Sequence, residues 1–406
     1  MLVGMLLLTS MQVFSRNIID ENKLRNHVNF LASDALEGRL TGTRGEQLAT
    51  QYVANIFKQL GLKPAGDNGT YFQSFIFSGS TRHGRNVLAR LDPDVPSTGM
   101  IILSAHIDHL GLGDKSNSLG SIGRIYAGAD DNASGVAAML EVARAFSTLK
   151  SQGKFAGNKS ILFAAWSGEE FGILGSTHFV RSYSGEKKLP IRVVINLDMV
   201  GHLREKLVIQ GTGSSADWPL FLANVAHGSL QIIASKDAYL PTDSTAFYLQ
   251  HIPVLNFFTG AHANYHTPED RPETLNYHGI AVIADYLFTF MQELQQRIAP
   301  IAWQKIPREK QYIRQHLRIY LGTIPDYSYV NKEGVRLSGV VNDSPAELAH
   351  LQRDDIVVEL AGKPTPDIYT YTAALNSLTP NKHVPLTIMR NHKKLVLHVL
   401  PDYRAD

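Results

Sequence analysis

The order of apolar and polar positions divides the chain into segments of two periods. Apolar residues at helical spacing predict a short amphipathic helix over residues 20–33, with Asp20 as its cap. Leu48, Tyr52, Val53, Ile56, Phe57 and Leu60 recur at the same spacing, and Gly61 supplies a stop. Continuous apolar runs then alternate with helical ones. "NVLARL" and "MIILSA" predict strands, residues 133–149 a helix, "SILFAAW" a strand, and the stretch after Leu174 a helix. "RVVINL" and "PVLNFF" predict two more strands, and "YHGIAVIADYLFTFMQELQQRI" a long closing helix. Strands without polar alternation, set between helices, belong to a sheet covered on both faces. The expected fold class is therefore α/β.

The pattern breaks at "APIAWQKIPREKQY", where two prolines and mixed charge without a period predict a linker over 299–312. Residues 313–406 return to short strands ("GVRLSGVV", "DIVVEL", "VPLTIM", "LVLHVL") and two short helices ("SPAELAHL", "IYTYTAALNSL"). That length suits one small, β-rich domain. Residues 18–298 form the main domain. Residues 1–17 are set apart, because "MLVGMLLLTSMQVFS" is too short an apolar run to span a bilayer. It is similar to the core and cleavage region of a secretory signal, with Val13 and Ser15 before a cut, so export is the expectation.

Composition narrows the chemistry. A hydrophobic fraction of 44% and a charged fraction of 19% describe an ordinary globular protein. A net charge of +2 offers no electrostatic argument for nucleic acid or an anionic membrane. The chain has no cysteine, which excludes disulfides, thiol catalysis and thiolate-bound zinc. Any metal must sit on His, Asp and Glu.

Such residues collect at strand ends. "MIILSA" runs into His106 and Asp108, "SILFAAW" into "SGEEFG" with Glu169 and Glu170, and "RVVINL" into Asp198. "PVLNFF" leads to "ANYHTPED" with His262 and His266, and Asp130 stands in "GADDNASG" at a helix start. Ligands of open α/β sheets bind outside the carboxyl ends of strands. Carboxylates and imidazoles at one edge suit a hydrolytic metal site, and a carboxylate can bridge two metals. Adjacent side chains diverge, so in "EE" one Glu can bind metal while the other handles a proton. A single His or Asp after a strand is ordinarily a turn or cap residue; His109, His178, His202 and His278 are read that way.

"HIDHLG", "GADDNASG", "SGEEFGILGS", "NLDMVG" and "YHTPED", in this order after "LEGRLTGTRGEQLA", resemble the M28 family of di-zinc aminopeptidases over residues 20–297. The resemblance implies a mixed central sheet of the zinc exopeptidase type and two zinc ions per chain. It implies that Asp130 bridges them, with His106 and Asp198 completing one site and Glu170 and His266 the other. Glu169 becomes the general base, Asp108 the carboxylate behind the ligand histidine, and Tyr265 a donor to the developing oxyanion. Tyr239 falls in a loosely matching stretch as a substrate-side residue. A cis Asp130–Asp131 bond is also implied, with Asp131 and Asn132 left near the helix start. The substrates would be peptides. Carboxypeptidases and a single-zinc glutaminyl cyclase are relatives of this family, and Arg124 and Arg271 lie near the loops where a carboxylate-binding cation would be needed.

The tail segments "IYLGTIP" and "SPAELAHLQRDDIVVELAGKP" resemble a circularly permuted PDZ domain of bacterial proteases. That likeness implies a loop of Tyr320, Leu321, Gly322 and Thr323 that holds a peptide's C-terminal carboxylate on backbone N–H groups. His350 and Asp354 stand where such domains usually have glycine, and Pro325 would remove a donor from the peptide-pairing strand. A peptide-binding protein acting through this unit is the rival from another class.

Overall fold

The computed structural model describes residues 18–76, 83–113, 118–183, 188–225, 228, 230–306, 319–325, 333–340 and 344–403. The expected signal segment, residues 1–17, and the part of the expected linker from 307 onward lie outside the described residues.

The main domain is built on a sheet of nine strands. They are β1 (Lys63–Pro64), β2 (Phe72–Ile76), β3 (His83–Leu91), β4 (Met100–His106), β5 (Ser160–Trp166), β6 (Ile191–Leu197), β7 (Lys206–Gln210), β8 (Gln231–Ala234) and β9 (Val254–Phe258). Across the sheet the order is β1-β3-β5-β4-β6-β9-β7-β8, with β2 also paired to β3. β5, β4, β6 and β9 run parallel, while β3 and β7 pair antiparallel at either side. The sheet is therefore mixed, as the zinc exopeptidase type requires. After β4 the chain adds β5 on one side of it and then β6 on the other, so the strand order reverses at the carboxyl end of β4, where ligands of such sheets bind.

The apolar runs are continuous because both faces are covered. Along β4, Ile101, Leu103 and Ala105 join one core cluster, and Met100 and Ile102 join another. The first cluster packs α1 (Glu21–Leu31), α2 (Arg44–Gln59), α3 (Gly135–Ser151), α5 (Trp218–Asn224) and α7 (Tyr277–Gln296). The second packs α4 (Leu174–Ser182) and α6 (Ser244–Tyr248) through Phe179, Phe247 and Tyr248. Each such buried side chain contributes about 1.5–3 kcal/mol. Asp20 caps α1 by accepting the N–H of Asn22 at 2.9 Å.

The structure adds short elements the periodicity did not predict, β1, β2 and the helix Ser244–Tyr248 among them. β7 and β8 extend the sheet where no strand was expected; β8 is short and only partly buried, so its pattern is weak. Residues 301–306 of the expected linker lie on the domain. Ile301 and Ile306 are buried, and the Ile306 N–H donates to the Tyr248 hydroxyl at 2.8 Å.

The C-terminal unit has its own core and a six-stranded sheet led by Thr323–Pro325, Val335–Val340, Ile356–Leu360, Val384–Arg390 and Lys393–Val399. Helices Pro345–Leu348 and Ile368–Asn376 cover it where the sequence placed them. His350 and Asp354 take φ of 61° and 68°, a left-handed backbone that favours glycine. Among the described residues no helix is long and apolar enough to cross a membrane.

Candidate metal centre

Four strand ends and one helix start deliver the predicted chemistry to one place. His106 ends β4, Asp198 follows β6, and Glu169 and Glu170 follow β5. His266 comes from the loop between β9 and α7. At their centre stands Asp131, 3% exposed. Its Oδ1 lies 3.1 Å from His106 Nε2, and its Oδ2 lies 3.1 Å from His266 Nε2. His106 Nε2 is also 3.4 Å from Asp198 Oδ1, and His266 Nε2 is 3.2 Å from Glu170 Oε2. Two clusters, His106–Asp131–Asp198 and His266–Asp131–Glu170, thus share one carboxylate.

This corrects the assignment of Asp130. Its carboxylate faces away: Oδ2 accepts His262 Nε2 at 3.0 Å, and Oδ1 accepts the Gly201 N–H at 2.6 Å and Ser134 Oγ at 3.0 Å. Consecutive side chains diverge here, so only one aspartate of the pair can face the strand ends. The main chain decides which. Asp270 accepts the N–H of Asp130 at 2.9 Å and of Asp131 at 3.0 Å, which fixes their order at the loop. Gly128, at φ 59°, permits the tight entry, because a Cβ there would lie 2.2 Å from the Asp131 carbonyl. The cis peptide bond is Asp131–Asn132, one residue later than Asp130–Asp131. Asn132 rather than Asp131 does the capping: its Oδ1 accepts the Gly135 N–H at 3.1 Å at the start of α3. The same side chain donates to the Leu197 carbonyl at 2.8 Å and accepts the Met199 N–H at 3.3 Å, bracketing Asp198.

The donor set fits metal ions. Bonds of about 2.0–2.2 Å in a tetrahedral shell set neighbouring ligand atoms about 3.3–3.6 Å apart, close to the 3.1–3.4 Å found. The electrostatics agree. Burial alone would raise the Asp131 carboxyl, yet hydrogen bonds from His106 and His266 hold it well below the usual range. Both imidazoles, despite burial, are raised well above theirs by these carboxylates. Three carboxylates, Asp131, Asp198 and Glu170, thus face two imidazoles, a set that attracts positive charge. His266 has φ 54° and Met199 φ 50°, left-handed backbone at non-glycine residues that costs about 1–3 kcal/mol each.

Other assigned residues fall as follows. Asp108 is fully buried, but its carboxylate is 3.8 Å from His106 Nδ1; the ring nitrogen instead meets the Asp108 main-chain carbonyl at 3.2 Å. The Asp108 carboxylate instead accepts the Glu169 N–H at 3.2 Å, which fixes the main chain of the glutamate pair. Burial, then the charges of Glu170, Asp198 and Asp243 against the pull of His106, pushes the Glu169 carboxyl well above the ordinary range. The Tyr265 ring stacks on His266, centroids 3.8 Å apart. The Tyr239 ring packs edge-on against Tyr248 at 5.0 Å. In the C-terminal unit Leu321 is buried, Gly322 has φ 77°, and Thr323 Oγ1 lies 2.6 Å from the Tyr371 hydroxyl.

Several residues carry more than the sequence suggested. His109, read as a loop residue, is fully buried with Nδ1 2.8 Å from Glu170 Oε1 and 3.9 Å from Asp131 Oδ2. His109, Asp131 and Glu170 could themselves hold a metal ion, but His266 approaches the shared carboxylate more closely, at 3.1 Å against 3.9 Å. His202 stacks on His262 at 3.9 Å beside Asp130. His109 and Asp270 both lie inside the quoted motifs, and that proximity was the available signal.

Residues 86–291, just over half of the chain, match the model of peptidase family M28. The chain belongs to that family. It is 31% identical over 169 residues to the alkaline phosphatase isozyme conversion protein of Escherichia coli K12, covering 40% of this chain and 46% of that one. It is 28% identical over 215 residues to the probable leucine aminopeptidase 2 of Aspergillus fumigatus, covering 50% and 38%. The chain thus spans less than half the length of these curated relatives. Among solved structures it is similar in fold to the Legionella pneumophila LapA aminopeptidase, with a TM-score of 0.56, 19% identity, and coverage of 70% and 74%.

Proposed function

We propose that the protein is a zinc aminopeptidase that removes N-terminal residues from peptides. The observation that carries this reading is the shared carboxylate: one Asp131 oxygen faces His106 and Asp198, the other His266 and Glu170. His106, Asp131 and Asp198 would hold one zinc ion, and His266, Asp131 and Glu170 the second. When bound, the pair supplies Lewis-acid activation that lowers the pKa of water to about 7. Glu169 takes the proton of the attacking water and gives it to the departing amine, so the peptide C–N bond breaks with no net proton change. Tyr265, whose ring stacks on His266, would donate to the developing oxyanion. Membership of peptidase family M28 supports the reaction class.

Removal from the amino rather than the carboxyl end is supported by the cations. A carboxypeptidase needs one for the substrate's terminal carboxylate. Arg124 is paired with Glu269 at 2.6 Å and Arg271 with Asp34 at 2.5 Å. Free peptides are therefore expected to be hydrolysed and their N-acetylated forms to resist, as read by product chromatography. Equal cleavage of both would overturn the exopeptidase direction. The C-terminal unit enters as a peptide-docking module through Tyr320–Thr323, a reading supported by the left-handed Gly322 and by the position of Thr323–Pro325 at the end of its sheet.

A further inference from the structure

The segment "GRLTG" before α2 precedes residues 86–291 by some forty positions, yet it reaches the centre. Arg39 is 1% exposed, and its five N–H donors all meet main-chain carbonyls. Nε donates to Ile107 at 2.7 Å; Nη1 donates to Leu31 at 3.1 Å and to Ala127; Nη2 donates to Gly128 at 2.7 Å and to Asp131 at 3.2 Å. Ile107 sits between His106 and Asp108, while residues 127–131 form the loop that presents Asp131. Two residues on, Thr41 Oγ1 donates to Asp108 Oδ2 at 2.8 Å. Gly38 makes this approach feasible, since a Cβ there would lie 2.4 Å from the Gly111 carbonyl and 2.5 Å from that of Tyr126.

We propose that Arg39 and Thr41 are positioning residues of the metal centre, clasping the His106 loop and the Asp131 loop in the register that makes them converge. This rests on the two-zinc reading above. The clasp depends on shape as much as on charge. A guanidinium offers five donors in a rigid fork, whereas a lysine ammonium offers three donors from one point. Arg39→Lys therefore keeps the buried charge and loses the fork. Ser167 and Glu46 extend the same network: Thr41 Oγ1 lies 3.3 Å from Ser167 Oγ, which donates to Glu46 Oε1 at 2.5 Å. Glu46 in turn accepts the N–H of Gly42 at 2.9 Å, so the segment is itself fixed.

The test is zinc affinity of folded, metal-stripped full-length protein, measured by competition with a chelating dye beside thermal unfolding of the same samples. Arg39→Lys is expected to weaken zinc binding about 10- to 100-fold, the range for residues that orient ligands. A purely structural arginine would lower the melting temperature and leave the affinity of the folded protein unchanged. Folded Arg39→Lys that binds two zinc ions as tightly as wild type overturns the inference. Should that variant not fold, Thr41→Val decides: weakened binding, restored by Thr41→Ser, supports the clasp, and wild-type affinity overturns it. Wild-type protein that takes up no zinc refutes the two-zinc reading and the clasp with it; two zinc ions on wild type with equal affinity in the variants refutes the clasp alone.

Discussion

Glu169→Gln is expected to lower kcat by about 100- to 10,000-fold while both zinc ions stay bound and KM changes little. The change removes a proton acceptor and almost no volume. Glu169 takes no part in the two clusters around Asp131, and its main chain is held by the Asp108 carboxylate at 3.2 Å. Its environment also suits the task. Two divalent ions lower the proton affinity of any nearby carboxylate. Burial and the neighbouring Glu170, Asp198 and Asp243 push the Glu169 carboxyl the other way, against the pull of His106. Steady-state hydrolysis of an aminoacyl-anilide, with metal analysis of the same sample, makes the measurement. Undiminished hydrolysis by zinc-loaded Glu169→Gln would mean that another group is the base.

Asp131→Asn is expected to cost more, because one side chain serves both clusters. The amide keeps one oxygen and replaces the other by a nitrogen that donates, so neither cluster keeps a charged bridge. Bound zinc should fall below one ion per chain, and kcat/KM should fall at least as far as in Glu169→Gln. Asp130→Asn provides the contrast. It breaks a buried pair with His262 rather than the shared bridge, so its mark is a stability loss of about 3–5 kcal/mol with zinc largely retained. Metal analysis and denaturant unfolding of the two variants separate them. Zinc lost from Asp130→Asn and kept by Asp131→Asn would return the bridge to the first aspartate.

This one-residue difference marks where the sequence stops being legible. The four parallel strands β5, β4, β6 and β9 were readable because each is buried on both faces over most of its length and so is mainly apolar without polar alternation. Strand direction then sent His106, Asp198, the Glu169–Glu170 pair and the loop with His262 and His266 to one edge, and the resemblance singled out Glu170 and His266. "GADDNASG" offered no such rule. Which of Asp130 and Asp131 faces the strand ends depends on how Asp270, 139 residues further on, holds their N–H groups, and on how Arg39 holds the Asp131 carbonyl. These are long-range main-chain contacts, and neither periodicity nor spacing records them. His109 shows the same limit. Three residues after His106 it could have been a turn residue, and only the fold brings it to Glu170. β8 was missed for a different reason: half-exposed and four residues long, it carries little apolar signal.

The central claim is a pair of zinc ions joined by Asp131. Its most direct measurement is a titration of zinc into metal-stripped protein, with hydrolysis of an aminoacyl-anilide followed against zinc bound per chain. Activity is predicted to be absent without metal and to reach its plateau at two zinc ions per chain. Full hydrolysis by the stripped protein, or a plateau at one ion, would contradict the account.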